Sequence, residues 1–188
     1  MSVGSGPATS VSADPTWLTR ARSDGLSLGE ALTLFDGLGT VSADELTGRW
    51  KGAGLRTGHT LDGALEAFGW WGKEFVDVEN VRPLLFGREE DGLVAVNPAF
   101  LPLRLAVALN LHRSTLAQRA FRVGKRLIAT KRSTAKLRML EYRGVVTAAL
   151  IYDTQPITDI FRRVDADTLL GFMDCRGLDP FFFTLKRR

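Results

Sequence analysis

Two histidines, one cysteine and a few isolated carboxylates are the side chains in this 188-residue sequence whose types could carry chemistry. His59 stands in Thr57-Gly58-His59-Thr60 with Asp62 close by, just ahead of a segment that reads as a helix. A helix N-terminus lowers the pKa of a nearby imidazole, and histidine titrates near neutral pH. His59 is therefore a candidate general base or ligand anchor; the alternative is a structural histidine bonded to local backbone. Glu141, Asp153 and Asp174 lie in or at the ends of largely apolar segments. Strand alternation puts Asp153 in phase with Ile151 and Asp174 in phase with Phe172. If those faces point inward, the carboxylates are buried and must be paired or protonated, with Arg138, Arg143 and Arg162 as available partners. If they point outward, they are rim groups. Cys175 has no nucleophile signature around it and reads as a small buried hydrophobe. No His or Cys pair has metal-ligand spacing, so neither a metal nor another cofactor is expected.

The aromatic residues offer a different chemistry. Trp50, Trp70, Trp71, Tyr142 and Tyr152, with Phe75 and Phe181 to Phe183, could grip a flat or apolar ligand, although aromatics also simply fill cores. Trp50 in particular reads as the plug of one end of a barrel. Charge is unevenly placed. Between Pro98 and Leu140 there is no acidic residue and there are ten cations, so a chain of net +4 carries −6 elsewhere. Arg119, Arg122, Lys125, Arg126, Lys131 and Arg132 form the centre of this segment. Such a surface suits an anionic membrane or an acidic ligand head. Phe121 is the one aromatic between Ala120 and Tyr142, too few for a nucleic-acid stacking platform, so nucleic acid is not expected.

These side chains must be held by elements that the spacing predicts. Ser27 with Glu30 and Ser42 with Glu45 are two capping boxes, the first opening a helix along Leu28, Leu32, Phe35 and Leu38. Gly48 to Gly54 alternates as a strand with Trp50 among glycines, which lets another element approach closely. Thr60 is expected to cap a helix carrying Leu61, Leu65 and Phe68. Leu84–Arg88 and Leu93–Val96 flank a Glu-Glu-Asp-Gly turn as a hairpin. Ala99 to Leu111 reads as a buried or interfacial helix. The next helix has Leu116, Ala120, Val123 and Leu127 on one side and the basic residues on the other. Five strands follow, at Lys136–Arg143, Val145–Asp153, Asp159–Val164, Thr168–Cys175 and Phe181–Lys186, separated by turn residues. Asp159–Val164 is also open to a helical reading.

Together these elements predict a mainly β protein: a closed antiparallel lipocalin-like β-barrel of about eight strands, with helices at the N-terminus and between strands. About eight strands enclose just enough room for side chains or one small ligand. Residues 1–24, small and polar, are expected to be a disordered tail, and 25–188 the single barrel domain.

Gly48-Arg49-Trp50-Lys51-Gly52, Gly58-His59 and Trp70-Trp71-Gly72-Lys73-Glu74-Phe75 resemble the GXWXG family, over about residues 40–100. Arg138 to Gly144, Tyr152-Asp153, Pro156-Ile157, Phe161 to Asp165, Asp167 to Gly171, Met173-Asp174 and Phe181 to Phe183 resemble the domain of unknown function that usually follows it, over about 130–188. The pair looks like one barrel divided by naming. More broadly, Gly48, Trp50, Gly52 and Gly54 resemble the Gly-x-Trp-x-Gly-x-Gly pattern of nitrobindin-like haem barrels. Those place their axial histidine late, whereas His59 and His112 are early, so haem is not expected.

Composition fits an ordinary globular chain, 45% hydrophobic and 24% charged. No secretory leader and no apolar run of ~20 residues is evident. One cysteine excludes an internal disulfide. A cytoplasmic protein is expected. It would bind a hydrophobic or amphipathic small molecule in a barrel cavity without catalysis. The alternatives are an enzyme using His59 with an Asp or Glu, and a peripheral membrane or partner-binding module using the basic helix around 113–132. A homodimer is the further partner state left open.

Overall fold

The computed structural model describes residues 16–102 and 108–188. Among these residues nine antiparallel strands form the body: β1 Gly48–Gly54, β2 Trp70–Phe75, β3 Val81–Phe86, β4 Val94–Ala95, β5 Ala135–Tyr142, β6 Val145–Tyr152, β7 Ile157–Arg163, β8 Thr168–Cys175 and β9 Phe181–Arg187. Eight close a ring in the order β2-β1-β9-β8-β7-β6-β5-β3, with β3 pairing back onto β2; β4 hangs on β3 as a short hairpin arm. Closure leaves the ring without the open edges of a flat sheet. The seam between β3 and β5 is narrow, a single paired position, Val81 opposite Ala135.

The strand that alternation does not reveal is β2. Register shifts on either side of Gly72 break the period of two, and five of its six residues are buried. Such bulges add twist and re-aim side chains. Gly72 has φ +148°, and a Cβ there would lie 2.0 Å from the Trp50 carbonyl oxygen. At Gly52 an added Cβ would meet the Trp70 ring at 2.0 Å, so the bare backbone of β1 is where that indole lies flat.

Helices cover part of the outside. Ser27 Oγ accepts the Glu30 N–H at 3.2 Å and Glu30 Oε2 accepts the Ser27 N–H at 2.8 Å, starting α2 (Leu28–Gly37). Part of the expected tail is instead the helix α1 (Thr16–Asp24), because Leu18 and Ala21 share a face that packs against the body; residues 1–15 lie outside the described ones. With α2 this helix shields Ile160, Leu170, Phe172 and Phe182, so β7, β8 and β9 are apolar on both faces. The helix expected from Thr60 begins at Ala64 (α3, Ala64–Phe68), because Asp62 instead ties the preceding turn, accepting the Thr57 and Gly58 N–H groups at 3.0 and 2.8 Å. The expected helix Ala99–Leu111 falls partly on residues outside the described ones; short 3₁₀ turns at Pro98–Phe100 and Leu111–Arg113 flank them. The basic helix is α4 (Thr115–Gly124), capped by Ser114. Among the described residues no helix is long and apolar enough to cross a membrane.

Candidate functional site

The inside of the ring is filled at one end and hollow at the other. At the filled end Trp50 is completely enclosed, its Nε1–H donating to the Leu46 carbonyl at 2.9 Å, with Leu46, Phe75 and Phe161 packed alongside. The Arg187 guanidinium stacks 4.2 Å from the Trp50 ring. Trp50 is the plug, not a cavity wall.

The hollow end holds a cavity of about 310 Å³. Trp70, Phe183, Phe181, Ile157 and Met173 form its walls, and α3, α4 and the 3₁₀ turns close over it with Phe68, Phe121, Leu101 and Leu111. Gln155 steadies this cover by donating from Nε2 to the Pro98 carbonyl at 2.8 Å. Among the described residues the lining is apolar except for Gln155 and one cluster. Lys73 Nζ donates to Asp159 Oδ2 at 2.8 Å and to the Tyr152 hydroxyl at 3.2 Å, and both charged side chains are only 2% exposed. The ammonium also lies 5.1–5.5 Å from the ring centres of Trp70, Tyr152 and Phe183, within cation–π range. Burial, with the Asp159 carboxylate beside it, holds the Tyr152 phenol well above its ordinary pKa. The hydroxyl is therefore neutral at pH 7, able both to donate and to accept.

Parity explains why these residues are inside. Asp159 shares a face with Ile157 and Phe161, which line the core, and Tyr152 shares one with Ala148 and Leu150. Lys73 is brought in by the bulge at Gly72. The sequence reading included Tyr152 and Trp70 but missed Lys73 and Asp159. A usable signal existed for Asp159: a lone carboxylate two residues from Ile157 and Phe161.

The other expected site residues lie elsewhere. His59 Nδ1 accepts the Leu61 N–H at 2.9 Å while Nε2 reaches the carbonyl of Asp179, distant in sequence, at 3.1 Å, so both nitrogens bond backbone. Asp153, Asp174 and Glu141 are exposed. The phase of Asp153 with Ile151 and of Asp174 with Phe172 holds, but that face is the outer one, apolar because α2 covers part of it. The arginines considered as their partners are engaged otherwise: Arg138 with Glu79 at 2.7 Å and Arg143 with Asp36 at 2.6 Å, while Arg162 stacks on Phe35 at 5.0 Å. Tyr142 also sits outside, its ring 5.2 Å from that of Phe172, and burial followed by the nearby Asp174 raises its pKa. Trp71 turns outward, donating to Glu89 at 3.0 Å. Arg119, Arg122, Arg126, Lys131 and Arg132 are exposed, and Lys125 is half-buried.

A ring of eight antiparallel strands, plugged at one end and capped over a cavity at the other, defines a lipocalin-like barrel. Comparison with known families makes this specific. Residues 33–92 match the GXWXG protein family and residues 133–187 match a domain of unknown function, DUF4334. A crystal structure of a protein from Thermomonospora curvata is similar, with 30% identity over 92% of this chain and 97% of that one, and a TM-score of 0.66. The chain belongs to the family in which GXWXG is followed by DUF4334. The two matches divide one ring, since β1 pairs with β9 and β3 with β5. A comparison with curated proteins returns no match.

Proposed function

We propose that this protein binds a hydrophobic or amphipathic small molecule in the hollow end of its barrel, as a carrier or sensor. The cavity itself is the observation that supports this: about 310 Å³, walled by apolar side chains, with an ionic cluster set into it. Ligand sites are commonly of this kind, mostly apolar with a few convergent polar groups that fix orientation. Tyr152, held neutral and backed by Lys73, is the group that meets the polar end of the ligand, such as a hydroxyl, carbonyl or protonated carboxyl. Native mass spectrometry of the purified protein, followed by titration with medium-chain fatty acids and their alcohols, tests the proposal. Leu65→Trp, which fills the cavity, is expected to abolish uptake, and Tyr152→Phe to weaken it by about tenfold, the worth of one buried hydrogen bond. Uptake undiminished by Leu65→Trp, or no uptake of any probe, overturns it.

One observation favours a second reading. A tyrosine hydroxyl 3.2 Å from a lysine ammonium on the wall of an apolar cavity is equipped to exchange a proton with a bound carbonyl or alcohol. An enzyme would lose turnover in Tyr152→Phe while retaining most of its affinity. A carrier would lose affinity alone.

A further inference from the structure

An amphipathic helix normally turns its apolar stripe to the core. In α4 the reverse holds. Leu116, Ala120 and Val123, with Leu127 just beyond the helix, all face solvent; Leu116 is 76% exposed, Val123 82% and Leu127 90%. The body is instead met by the other edge. The Phe121 ring lies 5.3 Å from that of Phe68 and 4.9 Å from that of Phe86, and all three line the cavity. The helix is therefore apolar on two sides, one over the cavity and one outward. Beside the outward stripe stand the exposed Arg119, Arg122 and Arg126.

We propose that this face of α4 docks on an anionic lipid bilayer, with the stripe entering the interface and the arginines meeting the headgroups. Charge selects this occupant. The segment from Pro98 to Leu140 contains no acidic residue. Glu66 and Asp91 line a groove together with Arg122, Val123, Lys125 and Arg126 and offset charge on that side, while Arg113 and Arg119 lie outside the groove. A second copy of the chain is the poorer fit. A two-fold contact sets a patch against itself, here arginine against arginine with no carboxylate from the same segment. An anionic surface offers the opposite charge, and helices with an apolar stripe and a cationic flank bind such surfaces. Docked this way, the helix that covers the cavity is the one in contact with the bilayer.

Flotation of the full chain decides it, using vesicles of phosphatidylcholine alone and of phosphatidylcholine with phosphatidylserine. The protein is expected to float with the anionic vesicles only, less as salt rises. The double variant Leu116→Asp/Val123→Asp is expected to lower the bound fraction about tenfold or more, through lost apolar burial and added negative charge. Its melting curve should match the parent's, because both side chains are free of the core. Flotation independent of lipid charge, flotation undiminished in the variant, or none at all overturns the proposal. So does a concentration-dependent dimer in sedimentation that the variant dissociates. Association is scored without any cavity ligand, so failure here leaves the ligand-binding proposal untouched.

Discussion

At the scale of single residues, the buried Lys73–Asp159 pair carries the sharpest energetic consequence. Removing one partner of a buried pair leaves an uncompensated charge and costs about 3–5 kcal/mol, whereas replacing both with apolar groups is often nearly neutral. Urea denaturation should therefore find Asp159→Ala strongly destabilised and Lys73→Met/Asp159→Leu much less so, with the double variant retaining the fold but binding a polar-ended ligand more weakly. Glycine gives a second contrast. Gly72→Ala would drive a Cβ into the Trp50 carbonyl oxygen at a positive φ, so loss of the cooperative transition is expected. Gly29→Ala, in α2 with open space around it, should stabilise by ~0.5–1 kcal/mol in the same assay. The GXWXG spacing was readable as a close approach of two elements. Which elements, and the fact that the bulge at Gly72 turns Lys73 inward, was not, because a bulge removes the alternation from which direction is inferred.

At the scale of elements, the cover of the cavity is the part that should respond to pH. His112, in the 3₁₀ turn Leu111–Arg113, is 7% exposed. Burial, reinforced by Arg113 and opposed by Asp62, holds its pKa below the ordinary value. The folded imidazole is thus neutral at a pH where the unfolded chain, at ~6.5, begins to take up a proton. Stability present above that pH is lost as pH falls below it. Melting temperature should drop between pH 7 and 5, and His112→Gln should flatten that slope. The five C-terminal strands were legible nearly to the residue, since turn residues bound each one; Thr168–Cys175 needs no correction. Their inner and outer faces were not. The helices α1 and α2 make the outside of β7, β8 and β9 as apolar as the inside, so Asp153 and Asp174 looked like interior carboxylates while Asp159 passed unremarked.

At the scale of the whole molecule, closure into a ring was legible from the number of strands, but the hollow was not, because a void depends on where large side chains from distant strands stop short of one another. The ring is unevenly sewn. Between β5 and β6 eight consecutive positions pair, and between β3 and β5 only one. Hydrogen exchange should show the seam amides opening far sooner than those of the β5–β6 ladder. A cavity ligand reaches that seam only through β3, whose Leu84 and Phe86 line the cavity, and should slow the seam amides on that side. Slowing confined to α4, with the seam unchanged, would instead indicate a ligand held only beneath the cover.

The pairing of β1 with β9 also has a cost during biosynthesis. Gly54 lies opposite Phe183, so the first strand of the ring to leave the ribosome waits for β9. At ~5–20 residues per second that delay is on the order of ten seconds, during which apolar strands have no mate. Newly made chains should therefore depend on a holding chaperone until β9 has emerged, and truncation before Phe181 should leave an insoluble product rather than a smaller barrel.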